Sequence, residues 1–212
     1  MTDAHDLSER VKAYDRMAKA LDYLGDTWQN WPNLSKCAAH IGLSPSHFQR
    51  EFSRWAGLSP HQYQSVLAHG AAGDLLRGGA SVLETSYEIG LSGPCRLHDL
   101  FIAHEGLSPG ETKLKGKNLP LKIGRAATPF GPGVWLVSDR GLVALGFIDA
   151  GAPERTGFVH QGREESDAFA DIAGRYPQAD IQRDDAEAVK WSARVFESQE
   201  ALPVALYGTP FR

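Results

Sequence analysis

The chain holds 212 residues, 42% of them hydrophobic and 23% charged, with a formal net charge of −4. That length accommodates two modest domains, each with a core of its own, and the balance is that of an ordinary soluble protein. No apolar run approaches the ~18 residues of a membrane span, Met1-Thr2-Asp3-Ala4-His5-Asp6 lacks the basic and apolar regions of a secretion signal, and two cysteines far apart, Cys37 and Cys95, fit a reducing, cytoplasmic setting.

Trp28 and Trp31 come first and are expected to pack the first helices rather than stack on bases. Leu34, Cys37, Ala38 and Ile41 then mark one apolar face at helical spacing. Gly42 stands where such a helix ends and the backbone needs positive φ. Ser44 is placed to cap the next helix, and Pro45 suits its first turn. Phe48, Phe52 and Trp55 follow at i, i+4 and i+7, a stripe expected to face inward. At about 100° per residue the opposite side carries Ser46, Gln49, Arg50 and Ser53, with Arg54 flanking. A linking helix is expected from Pro60 to Leu76. The pattern then repeats. Ile41-Gly42-Leu43-Ser44 returns as Ile89-Gly90-Leu91-Ser92, and Gly57-Leu58-Ser59-Pro60 returns as Gly106-Leu107-Ser108-Pro109, with one extra residue in the second turn. Leu97, Phe101 and His104 define the inner face of this second copy. Cys95, His98 and Asp99 point outward, with Arg96 at the edge.

The composition shifts at Lys113-Leu114-Lys115-Gly116-Lys117-Asn118-Leu119-Pro120, and this basic, glycine-containing stretch reads as a linker over residues 114–120. Leu121 to Arg125 suits a strand. Val134–Val137 and Leu142–Ile148 flank Ser138-Asp139-Arg140-Gly141, which reads as a hairpin turn. Gly131-Pro132-Gly133 is too short for a phosphate loop and reads as another turn. Glu164 to Tyr176 is expected to be helical, with Phe169, Ile172 and Ala173 inside. Asp184 to Phe196 makes a second helix, with Ala188, Trp191 and Val195 on one face and Asp184 or Asp185 near its positive end. Pro203 to Tyr207 suits a last strand. Together these make a small α+β domain.

The outward residues of the repeated units can read bases. Arginine suits guanine N7 and O6, glutamine suits adenine, and a carboxylate accepts from cytosine N4. Any surface helix has a polar outer face, so one copy alone says little. A helix, a tight turn and a second helix used twice is how a protein reads two neighbouring grooves of DNA. The charge pulls the other way: from Thr27 to Asn118, eight Lys and Arg against seven Asp and Glu leave a net of +1. A stripe that neutralises phosphates must therefore be local, from Lys36, Arg50, Arg54 and Arg96. Helix N-termini add phosphate contacts without net charge. Modest affinity and strong salt dependence are expected.

These residues carry a resemblance. Residues 14–113 resemble the AraC-type DNA-binding domain, two helix-turn-helix units joined by a helix. Gly42-Leu43-Ser44-Pro45-Ser46-His47-Phe48-Gln49-Arg50 is similar to that family's first recognition helix. Gly90-Leu91-Ser92-Gly93-Pro94-Cys95-Arg96-Leu97-His98-Asp99-Leu100-Phe101 resembles the branch attached to DNA alkyl-repair proteins of the Ada type. The resemblance implies base contacts by Ser46, Gln49 and Arg50 in the first unit and Cys95, His98 and Asp99 in the second. With their neighbours, the candidate DNA-facing set is Ser46, His47, Gln49, Arg50, Arg54, Cys95, Arg96, His98 and Asp99. Asp99 departs from the wider family, where many relatives are basic.

The second half has a likeness too. Thr128-Pro129-Phe130-Gly131 and the run from Arg140 to Asp149 resemble the N-terminal, ribonuclease-H-like domain of O6-alkylguanine-DNA alkyltransferases. Pro203 to Phe211 resembles the stretch leading into their catalytic domain, whose Pro-Cys-His-Arg motif is not in this sequence. Pro94-Cys95-Arg96 only echoes it, with Arg96 where an activating histidine is needed, so Cys95 is not expected to accept an alkyl group. Cys37 and His40 stand three apart, but no second pair completes a tetrahedral site, and Cys37 is read as a core thiol. His47, His61, His69 and His160 have no visible partner and read as surface or packing residues.

The sequence thus predicts an all-α AraC-type double helix-turn-helix domain over residues 6–113, a linker over 114–120 and a small ribonuclease-H-like α+β domain over 119–212. The expected function is sequence-specific transcription regulation of the Ada type, tied to the response to alkylated DNA. The expected partners are double-stranded DNA, in successive major grooves, and RNA polymerase as a candidate. No catalytic residue, cofactor or metal is expected, and the oligomeric state is left open. The alternative is a truncated part of a bifunctional methylated-DNA-protein-cysteine methyltransferase.

Overall fold

A computed structural model describes residues 3–148 and 165–198, with residues 3–10 as backbone only. The chain opens with α1 (Asp3–Thr27), whose Ala13, Met17, Ala20 and Leu24 recur at helical spacing and are buried. A 3-10 turn over Trp28–Asn30 and a left-handed Trp31 (φ 45°) reverse the chain. Then come α2 (Leu34–His40), capped by the Asn33 side chain, and α3 (Pro45–Ala56), capped by Ser44. Gly42 between them has φ +71°, as its place after a helix end requires. Ser59 and Gln62 form a reciprocal capping box at the start of α4 (Pro60–Arg77). Ser81 and Glu84 form another for α5 (Val82–Glu88). Next stands α6 (Pro94–Glu105), and the short α7 (Pro109–Lys113) follows behind a third capping box, Ser108 and Glu111.

Two cores serve the two helix pairs. Met17, Ala20, Leu24, Cys37, Ala38, Phe48 and Phe52 form the first, between α1, α2 and α3. Ala68, Ala72, Leu76, Ile89, Leu97 and Phe101 form the second, between α4, α5 and α6. Each buried phenylalanine contributes on the order of 1.5–3 kcal/mol. So α4 belongs with the second pair as much as it links the two. Trp28 and Trp31 also lie against the second core, not only among the first helices as the sequence suggests. The reason is a hydrogen bond: the Trp31 indole N–H donates to Ile89 O at 2.9 Å.

The remaining elements are β1 (Pro120–Thr128), β2 (Gly131–Val137), β3 (Leu142–Phe147), α8 (Glu165–Gly174), β4 (Asp180–Arg183) and α9 (Asp185–Glu197). They build a four-stranded sheet in the order β3-β2-β1-β4. Its first three strands run antiparallel, while β4 lies parallel to β1. Strand alternation sends Val134 and Leu136 to one face, with Ile172 and Tyr176, and Trp135 and Val137 to the other, with Ala188, Trp191 and Phe196. The sheet is thus covered by α8 on one side and α9 on the other.

Three readings need correction. Gly131-Pro132-Gly133 is not a turn but the start of β2. The hairpin closes one step earlier, where the Thr128 hydroxyl donates to Gly131 O at 2.7 Å and accepts from Phe130 N at 3.1 Å. Residues 114–120 do not form a loose connection: Leu119 is buried in the sheet core, and Lys115 O accepts from Gln178 N at 3.1 Å. The Trp55 indole, expected inside, is 45% exposed and meets the Tyr14 ring edge-on at 5.9 Å, because the last turn of α3 extends past the first core. The strand expected over Pro203–Tyr207 and His160 lie outside the described residues. No helix among the described residues is long and apolar enough to cross a membrane.

Candidate nucleic-acid interface

The outer faces of α3 and α6 form the candidate site. In α3, Phe48 and Phe52 turn inward and are buried, so Ser46, His47, Gln49, Arg50 and Arg54 are all exposed. Lys36 on α2 is exposed as well. The face is anchored from below by Glu51, only 6% exposed. Arg16 on α1 donates to its Oε1 at 3.1 Å, and His47 Nε2 stands 3.6 Å from Oε2, one turn back on α3. The sequence reading missed Arg16 and Glu51. The two residues lie 35 positions apart, a separation that no local period reports.

In α6 the same logic buries Leu97 and Phe101 and exposes Cys95, Arg96, His98 and Asp99. The helix is as long as α3, 12 residues, but its start differs. Gly93 occupies the N-cap position and gives no side-chain hydrogen bond. The extra residue in the second turn has moved Ser92 one step out of the capping position that Ser44 holds in the first. Arg96 is the lone cation among the four exposed candidates here and Asp99 the lone anion, so this face is near neutral where the first carries Arg50 and Arg54.

The connector from Trp28 to Pro32 holds the two helix pairs in register. Pro32 O accepts from the buried Gln64 Nε2 at 3.0 Å and from the Cys37 thiol at 3.7 Å. On the other side, Gly90 lies so close to the connector that a Cβ there would stand 2.1 Å from Gln29 O. Burial pushes the Cys37 thiol up from its ordinary value, with its backbone hydrogen bond opposing. Cys37 therefore behaves as a core residue, while His40 stacks on Tyr23 at 4.2 Å. The described residues contain no group of three or more His, Cys, Asp or Glu able to hold a metal ion.

His69, read from the sequence as a surface or packing residue without a partner, is 3% exposed and faces Glu105 Oε1 at 3.5 Å. His61 tilts against Trp31 at 5.8 Å. Neither contact joins the exposed faces of α3 or α6.

Residues 37–115 match the family described as a helix-turn-helix domain, and this stretch runs from α2 through α7. Among solved structures, the chain is similar to an AraC-type transcriptional regulator from Chromobacterium violaceum, with 18% identity and a TM-score of 0.45 over 49% of this chain and 93% of that one. A probable AraC family regulator from Rhodopseudomonas palustris shares 22% identity at a TM-score of 0.44, over 48% of this chain and 97% of that one. The DNA-binding domain of the global transcriptional factor AdpA, solved in complex with a target DNA, shares 23% identity at a TM-score of 0.43, over 46% of this chain and 88% of that one. A search of curated proteins gave no match.

Proposed function

We propose that this chain is a sequence-specific, DNA-binding transcription regulator that places α3 and α6 in successive major grooves of one duplex, roughly 34 Å apart along its axis. The observation that carries the reading is the pair of equal, 12-residue helices, each with a buried apolar stripe and an exposed face able to donate and accept hydrogen bonds. In α3 the working residues are Ser46, His47, Gln49 and Arg50, with Arg50 on guanine and Gln49 on adenine. Arg54 and Lys36 take phosphates. In α6, Cys95, Arg96, His98 and Asp99 make a weaker second reading, consistent with their near-neutral charge. RNA polymerase is the protein partner such a regulator would contact. The helix-turn-helix match over residues 37–115 supports DNA binding.

The finer reading is a regulator of the Ada type, tied to the response to alkylated DNA. It is supported by the likeness of the run from Gly90 to Phe101 to the branch attached to alkyl-repair proteins, and by the likeness of Thr128–Gly131 and of Arg140 to Asp149 to the ribonuclease-H-like part of alkyltransferases. A three-stranded antiparallel meander followed by a helix and a parallel fourth strand suits that assignment.

The test is selection of a duplex from a randomised pool by the full chain, followed by titration at two salt concentrations. A defined consensus with salt-sensitive affinity is expected. Arg50→Ala should cost about 1–3 kcal/mol and relax the preference at one position. A pool that returns no consensus at either salt would sink the reading.

A further inference from the structure

We propose that the sheet half braces α6 in its DNA-reading position, and that Tyr176 and Arg140 are positioning residues for that helix. The inference rests on the DNA-reading role given above and adds the sheet half to it. Its starting point is an asymmetry between two copies of one motif. In the first copy the residue before the shared glycine is Ala56, and Leu58 after it is only half-buried. In the second copy the same positions hold Glu105, 1% exposed, and Leu107, 0% exposed. Leu107 does not close the second helical core. It belongs to the core of the sheet, with Leu121, Ile123, Leu136 and Tyr176.

Three contacts of different chemistry converge on this corner. Leu107 is the apolar plug. Glu105 is a buried carboxylate at the last residue of α6, and it is faced from three elements. The Thr112 hydroxyl of α7 donates to Oε2 at 3.3 Å, His69 of α4 faces Oε1 at 3.5 Å, and the Tyr176 phenol just beyond α8 lies near enough to feel the carboxylate's charge. Burial and the Glu105 charge push the Tyr176 phenol up. A carboxylate this deep is held in place by its donors, since losing one leaves charge uncompensated. The third contact lies nearer the surface. Glu111 caps α7 through Ser108 N at 2.7 Å, and its other oxygen accepts from Arg140 in the β2–β3 turn. The first copy has the neutral Gln62 at the position of Glu111 and so offers no such handle. Gly106 completes the fit by backing onto Gly141, where an added Cβ would lie 3.5 Å away.

Because α6 ends in this corner, it cannot rotate on α4 without drawing Leu107 from the sheet core and from the side of Tyr176. The angle at which Cys95, Arg96, His98 and Asp99 meet a groove is therefore fixed in part by residues that never approach DNA. Support of that kind decides whether a recognition surface sits within the fraction of an ångström it needs. The first unit, with no contact of this set, keeps its pose on its own core.

The experiment uses the full chain and the duplex it selects from a randomised pool. Arg140→Glu, Tyr176→Phe and the exchanged pair Arg140→Glu with Glu111→Arg are compared by titration, hydroxyl-radical footprinting and amide exchange in Ile102–Leu107. Arg140→Glu should weaken binding about five- to tenfold, the worth of one lost charge-assisted contact. It should also fade protection of the groove read by α6 while leaving the other intact, and speed exchange at the end of α6. The exchanged pair re-forms the ion pair but loses the acceptor for Ser108 N, so it should restore the three readouts in part, a rescue that a general loss of stability would not give. Tyr176→Phe removes only a hydroxyl and should move the same readouts in the same direction. Wild-type affinity, footprint and exchange in both single variants would overturn the brace. If the wild type selects no duplex, the DNA reading fails, and exchange in α6 still decides whether the brace exists.

Discussion

Gly90 shows how one residue can be fixed from two directions. Its φ of +74° is a left-handed turn conformation that favours glycine, and that much is legible from the helix-turn-helix pattern. The closeness of Gln29 O, 2.1 Å from where a Cβ would stand, is a tertiary fact. Gly42 at the equivalent place has open space around it. Gly90→Ala should therefore cost about 2–3 kcal/mol and Gly42→Ala only the backbone strain of about 1 kcal/mol. Equal urea midpoints for the two variants would show that the connector does not press on Gly90. The exposed candidates for base contact divide similarly. Ser46, Gln49, Arg50, Cys95, His98 and Asp99 fall outside because a 3.6-residue period puts them opposite the buried apolar residues. Glu51 shares their helix and yet is buried, since Arg16 reaches it from α1.

Among the elements, capping explains why four helices begin where they do. Ser44, Ser59, Ser81 and Ser108 all accept from a backbone N–H in the first turn. The last three also sit three residues before a Gln or Glu that returns the bond. Such boxes are visible in sequence because the whole interaction spans four residues. Ser92 looks equivalent and is not, since Gly93 takes the N-cap place of α6. Ser59→Ala should cost about 0.5–2 kcal/mol, and Ser92→Ala should stay within about 0.5 kcal/mol. Chemical denaturation of the two variants checks this, and a large loss at Ser92 would mean that it caps after all. The inward stripe of α3 was only partly legible for a related reason. Periodicity sets which way Trp55 points, but not whether anything lies there to cover it.

At the scale of the molecule, stability is expected to depend on pH through His104. Burial, helped by His69 and opposed by Glu105, lowers its imidazole to about 4, against about 6.5 in an unfolded chain. Between those values the unfolded state binds a proton that the folded state refuses. The contribution is thus complete above about 6.5 and is lost as pH falls toward 4. Partial exposure of the ring screens the effect to on the order of 1 kcal/mol. Asp184, Asp185 and Glu111 are held below their ordinary values: Asp184 chiefly by a hydrogen bond from Lys122, Asp185 by one from Arg125 N, and Glu111 by Ser108 N and Arg140 despite burial. Their losses begin only nearer pH 4, so these three do not account for a change between pH 6.5 and 5. Urea midpoints at pH 7 and pH 5 should differ in the wild type and converge in His104→Gln; an unchanged gap in the variant would assign the effect elsewhere.

What the sequence by itself determined was local: the repeated helix pairs, their glycine turns, three of the strands, the last two helices and most of the faces they show. These follow from periods of two and 3.6 residues and from caps completed within one turn, and every such signal lies inside a short window. The tertiary structure alone decided which core each piece joins. Trp31 hooks onto Ile89, β4 pairs with β1 across the whole α8 unit, and Leu107 leaves its own helices for the sheet. In each case the partners are far apart in the chain, and the choice between competing apolar surfaces is settled by which can be covered without leaving a polar group unmet. The same rule gives two near-identical motifs different duties, one ending on its own core and the other holding two halves of the molecule together.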